Sequence, residues 1–183
     1  STYVSQPQPG LASNVQGAYG LMNEFMAYRS GMNTMISLYP YFAAQKPGWD
    51  VWQPFISGCE NNRLAYAEFK YYILHYLHYA KKHYPKVYKG IVNNRQFCRA
   101  YRQIESSYVK LIKSYGQCLK KFKKLLEKKG YRVEVNDEYV MIYTSFGSGT
   151  GLRRYTADYE MLQKEMKKSK YVSIHKKLVK NGK

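Results

Sequence analysis

The sequence predicts a mainly α protein: an antiparallel helix bundle with an extended N-terminal arm and one small β-hairpin. Three observations carry that expectation. Between Arg95 and Lys129 apolar residues recur in alternating steps of four and three, a rhythm that only a helix presents on one side. A second apolar stripe, over Asn61 to His83, is joined to the first by a short link, and two helices so joined are antiparallel neighbours. From Tyr131 to Tyr143 the period falls to two, with Asn136-Asp137 between the alternating runs, the pattern of a hairpin.

Taken in order, Ser1 to Asn14 has two prolines, a glycine and no charge, which makes it an extended arm. Val15 to Leu38 reads as a helix capped by Ser13 or Asn14. Val15, Tyr19, Met22, Met26 and Met35 lie near one face. Gly17, Gly20 and Gly31 create small-residue surfaces that another backbone can approach. A helix with so little charge is expected to pack against other subunits or a ligand. Tyr39-Pro40 ends it, and Lys46-Pro47-Gly48 is a turn. Trp49 to Ser57 is a short aromatic helix or loop, serving as core or as an interface anchor. Gly58 is the expected boundary. It separates an N-terminal part, 1–58, for assembly and nucleic-acid wrapping from a basic bundle domain, 59–183, with its hairpin near 131–143.

In the second part, Leu64, Phe69, Ile73, Tyr76, Leu77 and Ala80 form an inward stripe that Lys81, Lys82 and His83 close and Pro85 stops. Pro85 to Val92 adds a turn. The long seam follows: Phe97, Tyr101, Ile104, Tyr108, Leu111, Tyr115, Cys118, Phe122 and Leu125. Cys98, Ile112, Leu119 and Leu126 widen it beyond a two-strand coiled coil, toward a bundle. The helix would be roughly 50 Å long. Gly116 inside it costs about 1 kcal/mol, and Lys128-Lys129-Gly130 marks its end. After the hairpin, Ser145 to Gly151 reads as a flexible glycine loop. Thr156 caps a helix through Lys167, with Tyr159, Leu162 and Met166 inward. Tyr171 to Val179 continues helical with Val172, Ile174, Leu178 and Val179 among lysines, and Asn181 to Lys183 frays.

Charge narrows the function. The 183 residues carry 30 Lys and Arg against 12 Asp and Glu, a net +18, which points to a polyanionic partner: nucleic acid first, an anionic membrane surface second. The charge is uneven. Before Gly58, Glu24 and Asp50 balance Arg29 and Lys46, so all of the excess follows. The 21 tyrosines against 7 phenylalanines offer packing area with a hydroxyl that reaches water, phosphate or carbonyl. Cys59, Cys98 and Cys118 have no CxxC spacing and read as core residues. No apolar run approaches the ~18 residues that span a bilayer.

No paired carboxylates, Ser-His-Asp order or Cys-His arrangement stands out, so catalysis is not expected and no catalytic residue is assigned. His75, His78 and His83 lack nearby Asp, Glu or Cys partners and read as polar-face histidines; no metal and no cofactor is expected. Gly147 to Gly151 lacks the lysine and spacing of a phosphate-binding loop, though Arg153 and Arg154 beyond it suit a phosphate backbone. No base-reading motif is present. The expected nucleic-acid contacts are Arg29 and Lys46 in the first part, Arg95, Arg99, Arg102, Lys113, Lys120 and Lys124 on the long helix, and Arg153 and Arg154.

The uncharged proline-bearing arm, the neutral Gly-rich helix and the basic antiparallel bundle together resemble the major coat proteins of filamentous and rod-shaped archaeal viruses, of lipothrixvirus or rudivirus type. The resemblance covers the whole chain as an order of parts. It implies a structural capsid protein that coats and condenses linear double-stranded DNA, held in A form, in a helical filamentous virion. Its partners would be DNA, copies of itself and a related second coat protein, with envelope lipid as an open alternative. The hairpin and the neutral N-terminal part depart from the pattern. The competing expectation is a free, sequence-independent DNA-binding protein of archaeal or viral origin; an enzyme acting on nucleic acid is a third.

Overall fold

The computed structural model describes residues 15–46, 48–143 and 147–183. The elements in order are α1 (Gly17–Ser37), α2 (Tyr39–Ala44), α3 (Trp49–His83), α4 (Pro85–Asn93), α5 (Arg95–Lys128), β1 (Arg132–Val135), β2 (Tyr139–Tyr143), β3 (Gly149–Arg153), α6 (Thr156–Met166) and α7 (Ser169–Asn181). The fold is mainly α with a small antiparallel sheet, as the sequence predicts.

α3 and α5, of 35 and 34 residues, form its frame. The rings of Trp52 and Phe122 lie 4.8 Å apart, Tyr115 bonds to Glu60, and Lys70 pairs with Glu105. Rising numbers on α3 thus meet falling numbers on α5, and the pair is antiparallel. α1 packs against both, as does α7. The seam of α5 is core: Phe97, Tyr101, Ile104, Tyr108, Tyr115, Cys118 and Phe122 are buried, with Cys98, Leu119 and Leu126 beside them. Leu111, Leu125 and Ile112 are only half-buried at its edge. Asn94 caps α5 by accepting from the amides of Gln96 and Phe97 at 3.0 and 3.1 Å, satisfying two of the four unpaired donors of a helix start. At the other end Gly130 takes φ +86°, and Tyr131 donates to the Leu126 carbonyl at 3.1 Å, a left-handed glycine stop.

Several expectations are corrected. α3 starts at Trp49 and runs unbroken through Gly58, so the expected boundary falls within a helix. Pro54 sits near its start on the exposed side, where the missing N–H removes one bond that water can replace. Gly58 is the site of a close helix crossing: a Cβ there would lie 3.1 Å from the end of Met35 on α1. Residues on both sides share one core, in which Met22, Phe25 and Met32 of α1 are buried beside Trp52 and Phe55. Ser13 and Asn14 lie outside the described residues, as do the rest of the expected arm and Pro47 of the expected turn. α1 itself begins after Gln16 with no side-chain cap.

The hairpin is part of a three-stranded sheet of order β1-β2-β3. Of the stretch expected to be a glycine loop, Ser145 and Phe146 lie outside the described residues, and Gly149 to Gly151 belong to β3, which pairs Gly151 with Met141 and Arg153 with Tyr139. A Cβ on Gly151 would come within 2.2 Å of Met141 Sδ and of the Val140 carbonyl, so glycine there permits close backbone approach. Thr156 opens α6 without capping it; its hydroxyl accepts from Arg63 at 2.9 Å. The end expected to fray is docked. Asn181 donates to the Val92 carbonyl at 2.7 Å, Arg102 donates to the Gly182 carbonyl at 3.2 Å, and a Cβ on Gly182 would strike Cys98 O at 2.4 Å.

Candidate nucleic-acid interface

Two carboxylates, one buried and one part-buried, fix the C-terminal elements on the frame. Glu60, with no exposed surface, accepts from Arg63 Nη2 at 2.9 Å through Oε2, and from Arg154 Nε at 2.8 Å and Tyr115 Oη at 2.9 Å through Oε1. Arg63 reaches on to Thr156, and Arg154 to the Asn136 carbonyl at 2.7 Å. One acid thereby joins α3, α5, the sheet and α6. Burial and the adjacent Glu60 push the Tyr115 hydroxyl far above its usual pKa, keeping it a donor. Glu105 on α5 pairs with Lys70 Nζ at 2.6 Å and accepts from His175 Nε2 at 2.8 Å, joining α7 to both long helices. Burial alone would raise the Glu105 pKa, but His175 and Lys70 outweigh it and hold the carboxyl below its usual range.

These anchors leave the opposite end of the frame without acids. No Asp or Glu occurs between Glu68 and Glu105, nor after Glu165. The first stretch covers the end of α3, all of α4 and the start of α5; the second is α7, which packs on all three. Lys81 of α3 and Lys177 of α7 both lie over the ring of Tyr88 in α4, at 6.0 and 5.6 Å from its centroid. Around them Lys82, Lys86, Lys89, Arg95, Arg99, Lys176 and Lys180 are exposed. Among the described residues none of these cations forms an ion pair. A face of one sign repels itself and attracts polyanions over a Debye length. Its cations sit on rigid helices with no base-reading motif, an arrangement suited to phosphates along a backbone.

The expected contacts divide accordingly. Arg95, Arg99 and Arg102 are exposed at this end, though Arg102 also holds the Gly182 carbonyl. Lys113, Lys120 and Lys124 are exposed farther along α5, the last roughly 33 Å from Arg102 at helical rise. Lys46 is exposed before the start of α3, away from the basic end. Arg29 is part-buried and donates to Ser107 Oγ at 3.1 Å. Arg153 is exposed on β3, at a cleft of about 790 Å³ whose rim also holds Asp137, Glu138 and Glu160. Arg154 is 13% exposed and engaged with Glu60.

Sequence reasoning missed the lysines of α4 and α7 as part of one surface. The signal available was the absence of acids across both stretches. It also missed both carboxylate anchors, whose partners, Arg63 apart, are distant in sequence. His75 Nδ1 lies 3.0 Å from the Tyr171 hydroxyl and the His78 ring 6.0 Å from that of Tyr171; among the described residues no three potential metal ligands gather. No described helix is long and apolar enough to cross a membrane. In comparisons with known proteins, no family model, curated protein or solved structure matches this chain.

Proposed function

We propose that this chain is a structural protein that coats linear double-stranded DNA, as the major coat protein of a helical filamentous virion, and that it has no catalytic role. The observation that carries the nucleic-acid part is the acid-free basic end, where α3, α4, α5 and α7 gather cations without carboxylate partners. The coat part rests on the resemblance in order of parts; it brings copies of the same chain, a related second coat protein and the virion as the setting. A-form DNA and an envelope belong to that same reading.

One observation favours the second reading, a free sequence-independent DNA-binding protein. α1 completes the core of a single chain, with Phe25 wedged among Tyr66, Tyr101 and Tyr108 at ring distances of 5.6 to 6.3 Å. The inward face of α1 is thus buried within the single chain. Electron microscopy of the full chain mixed with linear duplex DNA separates the two. Regular filaments of uniform width support the coat reading; irregular decoration supports the free protein. In both, affinity should fall by roughly 10³–10⁵ between 50 and 200 mM salt if six to ten phosphates are engaged. Salt-independent binding would remove the electrostatic basis of either.

A further inference from the structure

We infer that the corner between α3 and α4 is a stacking site for unpaired nucleobases, through which this chain binds single-stranded nucleic acid. The inference does not depend on the coat reading. Tyr79 and Tyr84 are 51% and 57% exposed, and His83 between them is exposed as well. The Tyr79 and His83 rings lie 4.4 Å apart, with 31° between their planes, and Tyr84 follows at 6.1 Å from Tyr79. The three rings form one aromatic surface held in water.

The backbone beneath that surface is tied into both helices. The Tyr84 amide donates to the Ala80 carbonyl at 2.8 Å, and the Tyr84 carbonyl accepts from Tyr88 at 3.0 Å. Tyr84 is therefore bonded into the last turn of α3 and the first of α4, and Pro85 fixes the backbone that follows. Lys81, Lys82 and Lys86 are exposed beside the rings, and no carboxylate occurs in either helix beyond Glu68.

Flat π faces beside unpaired cations match a ligand with flat bases on an anionic backbone. Duplex DNA offers the backbone but keeps its base faces stacked on one another. A single strand offers both. Lysines take the phosphates and the rings take the bases, with sequence tolerance because every base has a π face. An acidic peptide would use the lysines and leave the ring faces idle.

The test compares the full chain with Tyr79→Ala/Tyr84→Ala and Tyr79→Phe/Tyr84→Phe variants, by fluorescence anisotropy at fixed salt. The probes are a short oligo-dT, a blunt duplex of equal length and poly-glutamate. The alanine pair should weaken oligo-dT binding by roughly tenfold or more and leave the duplex within about twofold. The phenylalanine pair should retain binding, since stacking needs the ring and not the hydroxyl. The salt slope should stay unchanged, because no phosphate contact is removed. Equal losses on both DNA probes, no loss on oligo-dT, or the same ring dependence with poly-glutamate would overturn the proposal. The wild-type chain gives a check free of folding effects: photo-crosslinking to iododeoxyuridine oligonucleotides should place adducts on Tyr79, His83 or Tyr84, and adducts confined to other residues would sink it. None of these outcomes bears on filament formation with duplex DNA, so the coat reading stands or falls separately.

Discussion

Glu60 and Glu105 are both withdrawn from water on the same helical pair, but they are neutralised by different chemistry. Glu60 meets two guanidinium groups and a tyrosine, none of which changes charge near neutrality. Glu105, whose side chain is 12% exposed, meets a lysine and a histidine, which hold its carboxyl below the usual range against the effect of burial. The first anchor holds the sheet and α6, the second holds α7 under the basic end. The difference teaches that the two C-terminal attachments respond to different perturbations: one to loss of a partner, the other to pH as well.

The sharpest way to break the comparison is Glu60→Ala. It strands Arg63 and Arg154 under the sheet, and breaking a buried pair in this way costs about 3–5 kcal/mol; urea unfolding measures it. A loss below about 1 kcal/mol would mean that both arginines reach water and that Glu60 is no anchor. Tyr115→Phe removes one hydrogen bond to the same carboxylate and should cost about 1.5–3 kcal/mol, the range for bonds to charged groups.

Glu105→Gln should cost less, about 1–2 kcal/mol near neutrality, because Glu105 and His175 are 12% and 30% exposed where Glu60 has no exposed surface. Its clearer signature lies in acid. A carboxyl held below its unfolded value contributes stability that is fully present above the unfolded pKa of about 4.3, and loses it as pH falls through the folded value. Thermal melts from pH 6 down to 2 should therefore show the wild type losing its advantage over Glu105→Gln below about pH 4. Parallel curves across that window would count against the paired state of Glu105. The smallest effect is expected at Tyr101, whose hydroxyl is buried with no hydrogen-bond partner among the described residues. Tyr101→Phe removes only that unmet group, so a shift within about 0.5 kcal/mol, or a gain in stability, is expected.

The parts legible in the sequence were those set by local period. The α5 seam repeats without a miss and its buried residues follow it, apart from Leu111 and Leu125, which sit where the flanking elements leave one side open. The hairpin was legible from its alternation. β3 was not, because glycine lowers strand propensity, while the need for glycine at 151 arises only once β2 lies beside it. Continuity of α3 through Gly58 was obscured in the same way, since that glycine reads as a boundary until α1 and its Met35 are in place. At the candidate site, Arg95, Arg99 and Arg102 were found from their spacing on one helix. The cations of α4 and α7 were not joined to them, because only the tertiary packing brings these segments to one end. Glu60 was invisible as an anchor: Tyr115 and Arg154 lie 55 and 94 residues away, and nothing local distinguishes it from a solvated acid.

The three thiols make the molecule its own clock. Cys98 lies at the basic end, where its Sγ donates to the Val92 carbonyl at 3.3 Å. Cys59 adjoins the Glu60 anchor, and Cys118 sits on the seam facing α3; all three are free and buried. Burial pushes each thiol above its usual pKa, and only the thiolate attacks an alkylating reagent. Capture at any of the three therefore has to wait for a local opening. With a bulky reagent at constant pH, labelling at Cys98 times the loosening of the basic end, and labelling at Cys59, which lies near Cys118 of α5, times the parting of α3 from α5. A polyanion seated on the basic end should slow the first clock and leave the second running at its own rate.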